Sequence, residues 1–132
     1  MEVHNIYLIG GEDDEAAEFI QSEREGRCSL ACTYRGKHIE ASADDFFEAL
    51  CELRLHLEAD GLIPFCYGAS LNVFPSAMSR QMSSGLAAYR TTFGKQALRS
   101  DLVQIFAEGH DVIPASVENQ RKFFDDWLKS LR

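Results

Sequence analysis

Apolar positions along this chain switch between the two-residue period of a strand and the three-to-four-residue period of a helix, and the switches mark out its elements. Asn5-Ile6-Tyr7-Leu8-Ile9 is a run of strand-forming residues ended by Gly10-Gly11, which predicts an opening strand and a turn. Ala17-Glu18-Phe19-Ile20 suits either a strand or a short helix. Cys28, Leu30, Cys32 and Tyr34 then alternate with Ser29, Ala31 and Thr33, and Arg35-Gly36-Lys37 turns the chain back into His38-Ile39-Glu40-Ala41. This pattern predicts a β-hairpin.

The period then lengthens. Phe46, Leu50, Leu53 and Leu57 recur at helical spacing, with Phe47 widening the stripe and Glu48, Glu52 and Glu58 towards the other side. Ser42 or Asp44 is placed to cap this helix, and Gly61 to end it. Leu62-Ile63-Pro64-Phe65-Cys66 reads as a strand, at an edge or in its first turn, because Pro64 has no N–H to donate. After Pro75-Ser76 comes a short helix to about Ser84, then strands over Leu86–Phe93 and Leu102–Phe106, with a helical turn or loop over Gln96–Asp101. The last helix begins near Ser116 and carries Val117, Phe124, Trp127, Leu128 and Leu131 on one face, with Glu118 and the Lys129/Arg132 pair suiting its dipole. The order predicts a single α+β domain over residues 1–132: a mainly antiparallel sheet packed with two longer helices and one short helix.

Composition narrows the class. At 132 residues, 45% hydrophobic and 26% charged, the chain is the size and character of one globular domain with its own core. The start of the chain lacks a basic region followed by an apolar run, and no apolar run is long enough to span a bilayer, so a soluble cytoplasmic protein is expected. Cys28, Cys32, Cys51 and Cys66 fall at irregular spacing and read as reduced, buried thiols. A net charge of −8 argues against nucleic acid, whose phosphates need concentrated Lys and Arg, and favours a basic protein partner. Oligomeric state is not legible, because a core face and an interface face are both apolar.

Candidate chemistry concentrates between Ile63 and Met82. Cys66, at a strand end just before Gly68, is the one candidate nucleophile, since backbone amides there would favour a thiolate. It needs a base, and His4, His38, His56 and His110 are scattered; the competing reading is an inert buried thiol. Tyr67, Asn72, Ser76 and Arg80 are candidate ligand-binding residues around an anion or carboxylate pocket, or else Asn72 and Ser76 cap the turn and helix while Arg80 pairs with an acid across the fold. No metal or cofactor is expected. Cys28 and Cys32 on one strand lie too far apart to share zinc, and Glu12-Asp13-Asp14-Glu15 lacks the alternation and glycine of a calcium loop. That run reads as a solvated turn or a first helical turn.

The stretch from Cys66-Tyr67-Gly68 through Asn72-Val73-Phe74-Pro75-Ser76, Met78, Arg80, Met82 and Gly85–Arg90, with Val112-Ile113-Pro114-Ala115, Gln120 and Trp127-Leu128 near the end, resembles a small family of uncharacterised bacterial proteins. The resemblance covers about half the chain and implies a bacterial, cytosolic, stand-alone domain, with no activity attached. Small size, acidity, a complete core and the lack of a catalytic constellation favour a non-enzymatic protein-binding domain, with an immunity-type inhibitor of a basic partner as one concrete version. The alternative is a small enzyme or ligand-binding domain with its pocket around Cys66 and Arg80.

Overall fold

Four long strands run up and down in chain order in the computed structural model, which describes residues 1–132. They are β1 (Glu2–Ile9), β2 (Glu15–Arg24), β3 (Arg27–Tyr34) and β4 (Lys37–Ala43), and a two-residue β5 (Ile63–Pro64) adds to β1, giving the antiparallel order β4-β3-β2-β1-β5. The two tightest turns explain themselves. Glu25-Gly26 and Arg35-Gly36 both take positive φ at each central residue, the backbone twist that lets a two-residue loop join two right-twisted strands. The ambiguous Ala17–Ile20 stretch is strand, because Ala17 and Phe19 continue the buried face of Ile6 and Leu8 while Ala16 and Glu18 stay outside.

One sheet face is covered by α1 (Phe46–Ala59). Its cap is Asp45, which accepts the Glu48 amide at 2.8 Å, and neither Ser42 nor Asp44 serves. Ser42 is still paired in β4, and Asp44 turns outward to Arg27. Asp45, one residue later, is the side chain that meets the open amides of the first turn.

The second half folds over the far side of α1. β6 (Val73–Phe74), β7 (Ala87–Arg90) and β8 (Leu102–Gln104) form a three-stranded antiparallel sheet, with α2 (Ala77–Met82) capped by Ser76 and α3 (Val117–Ser130) capped by Ser116. Three predicted strands are shorter than their apolar runs, Leu102–Phe106 forming only Leu102–Gln104. Leu62–Cys66 contributes only Ile63–Pro64 to the sheet, since the chain leaves it at Phe65 for a 3-10 turn over Tyr67–Ala69; Leu86–Phe93 contributes only Ala87–Arg90. A continuous cluster of 23 buried residues runs from Ile6 to Val117, so both sheets share one core and the fold is α+β. No helix is long and apolar enough to cross a membrane.

Candidate functional site

The five residues singled out between Cys66 and Arg80 do not converge. Cys66 is fully buried, and burial pushes its thiol up to about 11, outweighing the opposing pull of Arg54 and of the Ala69 and Gly68 amides. No histidine hydrogen-bonds to it, so no base stands ready to take its proton. Asn72 accepts the Ser70 hydroxyl at 3.0 Å, and its carbonyl accepts the Thr91 amide at 2.8 Å. Ser76 accepts the Ser79 amide at 3.0 Å as the α2 cap. Arg80 donates to Asp45 Oδ2 at 2.8 Å, lies 3.2 Å from Glu48 Oε1, and stacks over Phe47 and Phe74. Its charge is spent inside the fold.

Sequence reasoning missed the residue beneath that stretch. Arg54 is 1% exposed and has no carboxylate partner. Its Nη1 donates to Gln120 Oε1 at 2.6 Å and to the Gly68 carbonyl at 3.0 Å, and its Nη2 donates to the Ala115 carbonyl at 2.9 Å. Gln120 Nε2 in turn donates to the carbonyls of Gly68, Ser70 and Val73 at 2.9–3.0 Å. Burial holds the guanidinium below its usual pKa range, against smaller opposing effects from Cys51 and Cys66. A signal was present. Arg54 falls four residues after Leu50 and three before Leu57, within the apolar stripe of its helix, and Gln120 falls between Val117 and Phe124 in the same way. The pair is structural: it supplies donors to carbonyls of the segment from Gly68 to Val73 and of Ala115.

The open chemistry lies elsewhere, at the β1/β5 end of the large sheet. A groove of about 600 Å³ is walled by Tyr7, Ile9 and Phe65 and rimmed by Asp14, Glu15 and Glu108. Tyr7 is 60% exposed and Ile9 45%, because they sit on the uncovered face of β1. The preceding Glu12 and Asp13 add two more carboxylates to the same turn, which is solvated and leads into β2. Arg35 is held by Glu15 through two bonds of 2.7 Å, which keep that carboxyl below its usual range. Glu12, Asp13, Asp14 and Glu108 make no ion pair.

Tyr67 has a part in this groove after all, through its wall. Its hydroxyl donates to Asp111 Oδ1 at 2.6 Å, Arg90 Nη1 donates to Asp111 Oδ2 at 2.9 Å, and the Tyr67 amide bonds the Ala107 carbonyl at 2.9 Å. Together these hold the segment that presents Glu108 and His110. Gly109 must be glycine there, since a Cβ would strike the Tyr67 hydroxyl. No group of three or more His, Cys, Asp or Glu side chains converges in a metal-binding arrangement.

A second groove, of about 550 Å³, lies between α2 and α3 and is apolar, with Met78, Phe124 and Trp127 in its walls. Leu128 and Leu131, which the spacing puts on the apolar face of this helix, stand 46% and 37% exposed along it. The buried face of α3 is set instead by Val117, Gln120 and Trp127, whose indole N–H bonds the carbonyls of Thr92 and Lys95. Cys66, Tyr67, Asn72 and Arg80 line neither groove; Ser76 lines the second.

Comparison with known proteins adds no constraint on either groove. No family model matches the chain, and no curated protein sequence matches it.

Proposed function

We propose that this chain is a non-enzymatic protein-binding domain that docks basic side chains of a partner protein in the acidic groove between Tyr7, Phe65, Asp14 and Glu108. One observation carries the reading: carboxylates without an internal cation surround exposed aromatic and aliphatic walls. An arginine or lysine from a partner meets both needs at once, its charge facing Asp14 and Glu108 and its methylenes lying along Tyr7 and Phe65. The net charge of −8 speeds encounter with such a partner. A bacterial cytosolic immunity-type inhibitor, neutralising a basic toxin, is the concrete form that suits a small domain of this kind. A reaction centred on Cys66 has less support, since its thiol is buried, raised and without a base.

Pull-down from native lysate, with the products of neighbouring genes included, tests this reading. Wild type is compared with Asp14→Lys/Glu108→Lys, both verified as folded by circular dichroism. A basic protein retained by wild type and lost by the double variant is the expected result. No partner for wild type, or equal retention by both proteins, overturns it.

A further inference from the structure

One edge of the large sheet is open along a whole strand. β4 pairs with β3 on one side and with nothing on the other, and no proline or bulge interrupts it. The phase of its backbone follows from the hairpin: Tyr34 and Lys37 flank a two-residue turn and exchange hydrogen bonds, so Lys37, Ile39, Ala41 and Ala43 bond inward to β3. The N–H and C=O groups of His38 and Glu40 therefore point outward, and their side chains lie exposed on the face away from α1. Ser42 closes the edge at its far end, because its outward carbonyl already accepts Arg27 Nη2 at 3.1 Å.

We propose that this edge pairs with the same edge of a second copy, antiparallel about a two-fold axis at Ile39, to make one continuous sheet across a dimer. The segment is its own complement in that register and in no other. Centred on Ile39, His38 lies opposite the second copy's Glu40 and Glu40 opposite its His38, and each pair exchanges two backbone hydrogen bonds. Centred on Glu40, the two glutamates oppose each other, which is repulsive. Centred on His38, Glu40 faces Gly36 in the turn; centred on Ala41, it faces Ser42, whose carbonyl Arg27 already holds. A shift of one residue sets outward backbone groups against inward ones and makes no ladder.

The side chains are already arranged for it. His38 Nε2 lies 3.2 Å from Glu40 Oε1 on its own strand, with both side chains more than half exposed, so pairing places two imidazoles and two carboxylates alternately about the axis. On the α1 face the half-buried Ile39 meets its counterpart across the axis. Only four backbone bonds form, so the dimer dissociates on dilution. The acidic groove lies at the opposite end of the strand order and takes no part.

Sedimentation equilibrium from micromolar to millimolar protein tests the pairing with three variants. Glu40→Pro removes an outward N–H that the monomer does not use, as proline is tolerated on an edge. His38→Glu sets like charges opposite each other, and His38→Glu/Glu40→Lys places opposite signs in the same register. The expected result is a concentration-dependent dimer for wild type and for the double swap, and monomer throughout for Glu40→Pro and His38→Glu, all four with the same circular dichroism. A wild type that stays monomeric at millimolar concentration overturns the proposal and leaves the edge to a strand of another protein. A dimer indifferent to Glu40→Pro, or a double swap that stays monomeric, overturns it as well.

Discussion

Arg54 Nη1 lies 2.6 Å from Gln120 Oε1, and that contact joins α1 to α3 through the centre of the core. An unpaired guanidinium in such a place would be prohibitive if isolated, yet neutral oxygens of Gln120, Gly68 and Ala115 replace water at its two Nη atoms, leaving Nε alone without a partner. The Gly68 carbonyl takes a second donor, Gln120 Nε2, so the two side chains converge on it. Each half of the pair satisfies groups that the backbone leaves open.

Gln120→Leu therefore removes one acceptor from Arg54 and the donor to the Gly68, Ser70 and Val73 carbonyls. The expected loss is about 3 kcal/mol, since orphaning buried polar groups costs far more than the net worth of the bonds themselves. Urea denaturation followed by circular dichroism measures it. A midpoint equal to wild type would contradict the role given to this pair.

Gly68→Ala strikes the same hub from the backbone. A Cβ at this position would sit 3.1 Å from both Cβ and the carbonyl oxygen of Ile105, and closer still to Leu50 Cδ2. Relief requires the 3-10 turn to move, carrying the Gly68 carbonyl away from Arg54 and Gln120. A loss of about 2 kcal/mol or more is expected by the same denaturation assay.

All four thiols are buried, with Cys66 pushed up to about 11 and Cys32 to about 12 by burial. At about pH 8 none should react with a thiol-exchange reagent while the protein is folded, and all four should react once it unfolds. A Cys66 that labels at once in the native state would reopen the nucleophile reading.

How much of this was legible beforehand follows from what periodicity reports. The hairpin from Cys28 to Ala41 and the α1 stripe from Phe46 to Leu57 are plain in the sequence, because each buries alternate or helically spaced apolar residues against one surface. Ala17–Ile20 is too short to choose its own period, and its strand character comes from pairing with β1 and β3. The polar hub escaped because Arg54 and Gln120 read as surface residues by type, although both occupy core positions by spacing. The acidic groove escaped for a different reason. It assembles a turn near Asp14, a strand face at Tyr7 and a distant segment at Glu108, and no local pattern announces that meeting.

Acid stability gives a further check on the groove wall. Hydrogen bonds from Tyr67 and then Arg90 hold the Asp111 carboxyl below its ordinary value of 3.8. Because the folded value is the lower one, this group stabilises the protein above that ordinary value, and the stabilisation is lost as pH falls through the folded value. Asp111→Asn should therefore lose less stability than wild type between roughly pH 5 and pH 2, as read from urea midpoints. The slope is reduced and not abolished, since Asp60 and Glu15 are lowered in the same direction by Lys37 and Arg35. Equal slopes for the two proteins would contradict the assignment.

The most direct test of the docking account is a two-dimensional amide NMR titration of wild type and Asp14→Asn/Glu108→Gln with a short arginine-rich peptide, at low and at moderate salt. The account predicts shifts concentrated at Tyr7–Ile9, Asp14–Glu15, Phe65 and Glu108–His110, weakened by salt and largely absent in the double variant. Shifts spread evenly over the acidic surface, or unchanged by the two substitutions, would contradict it.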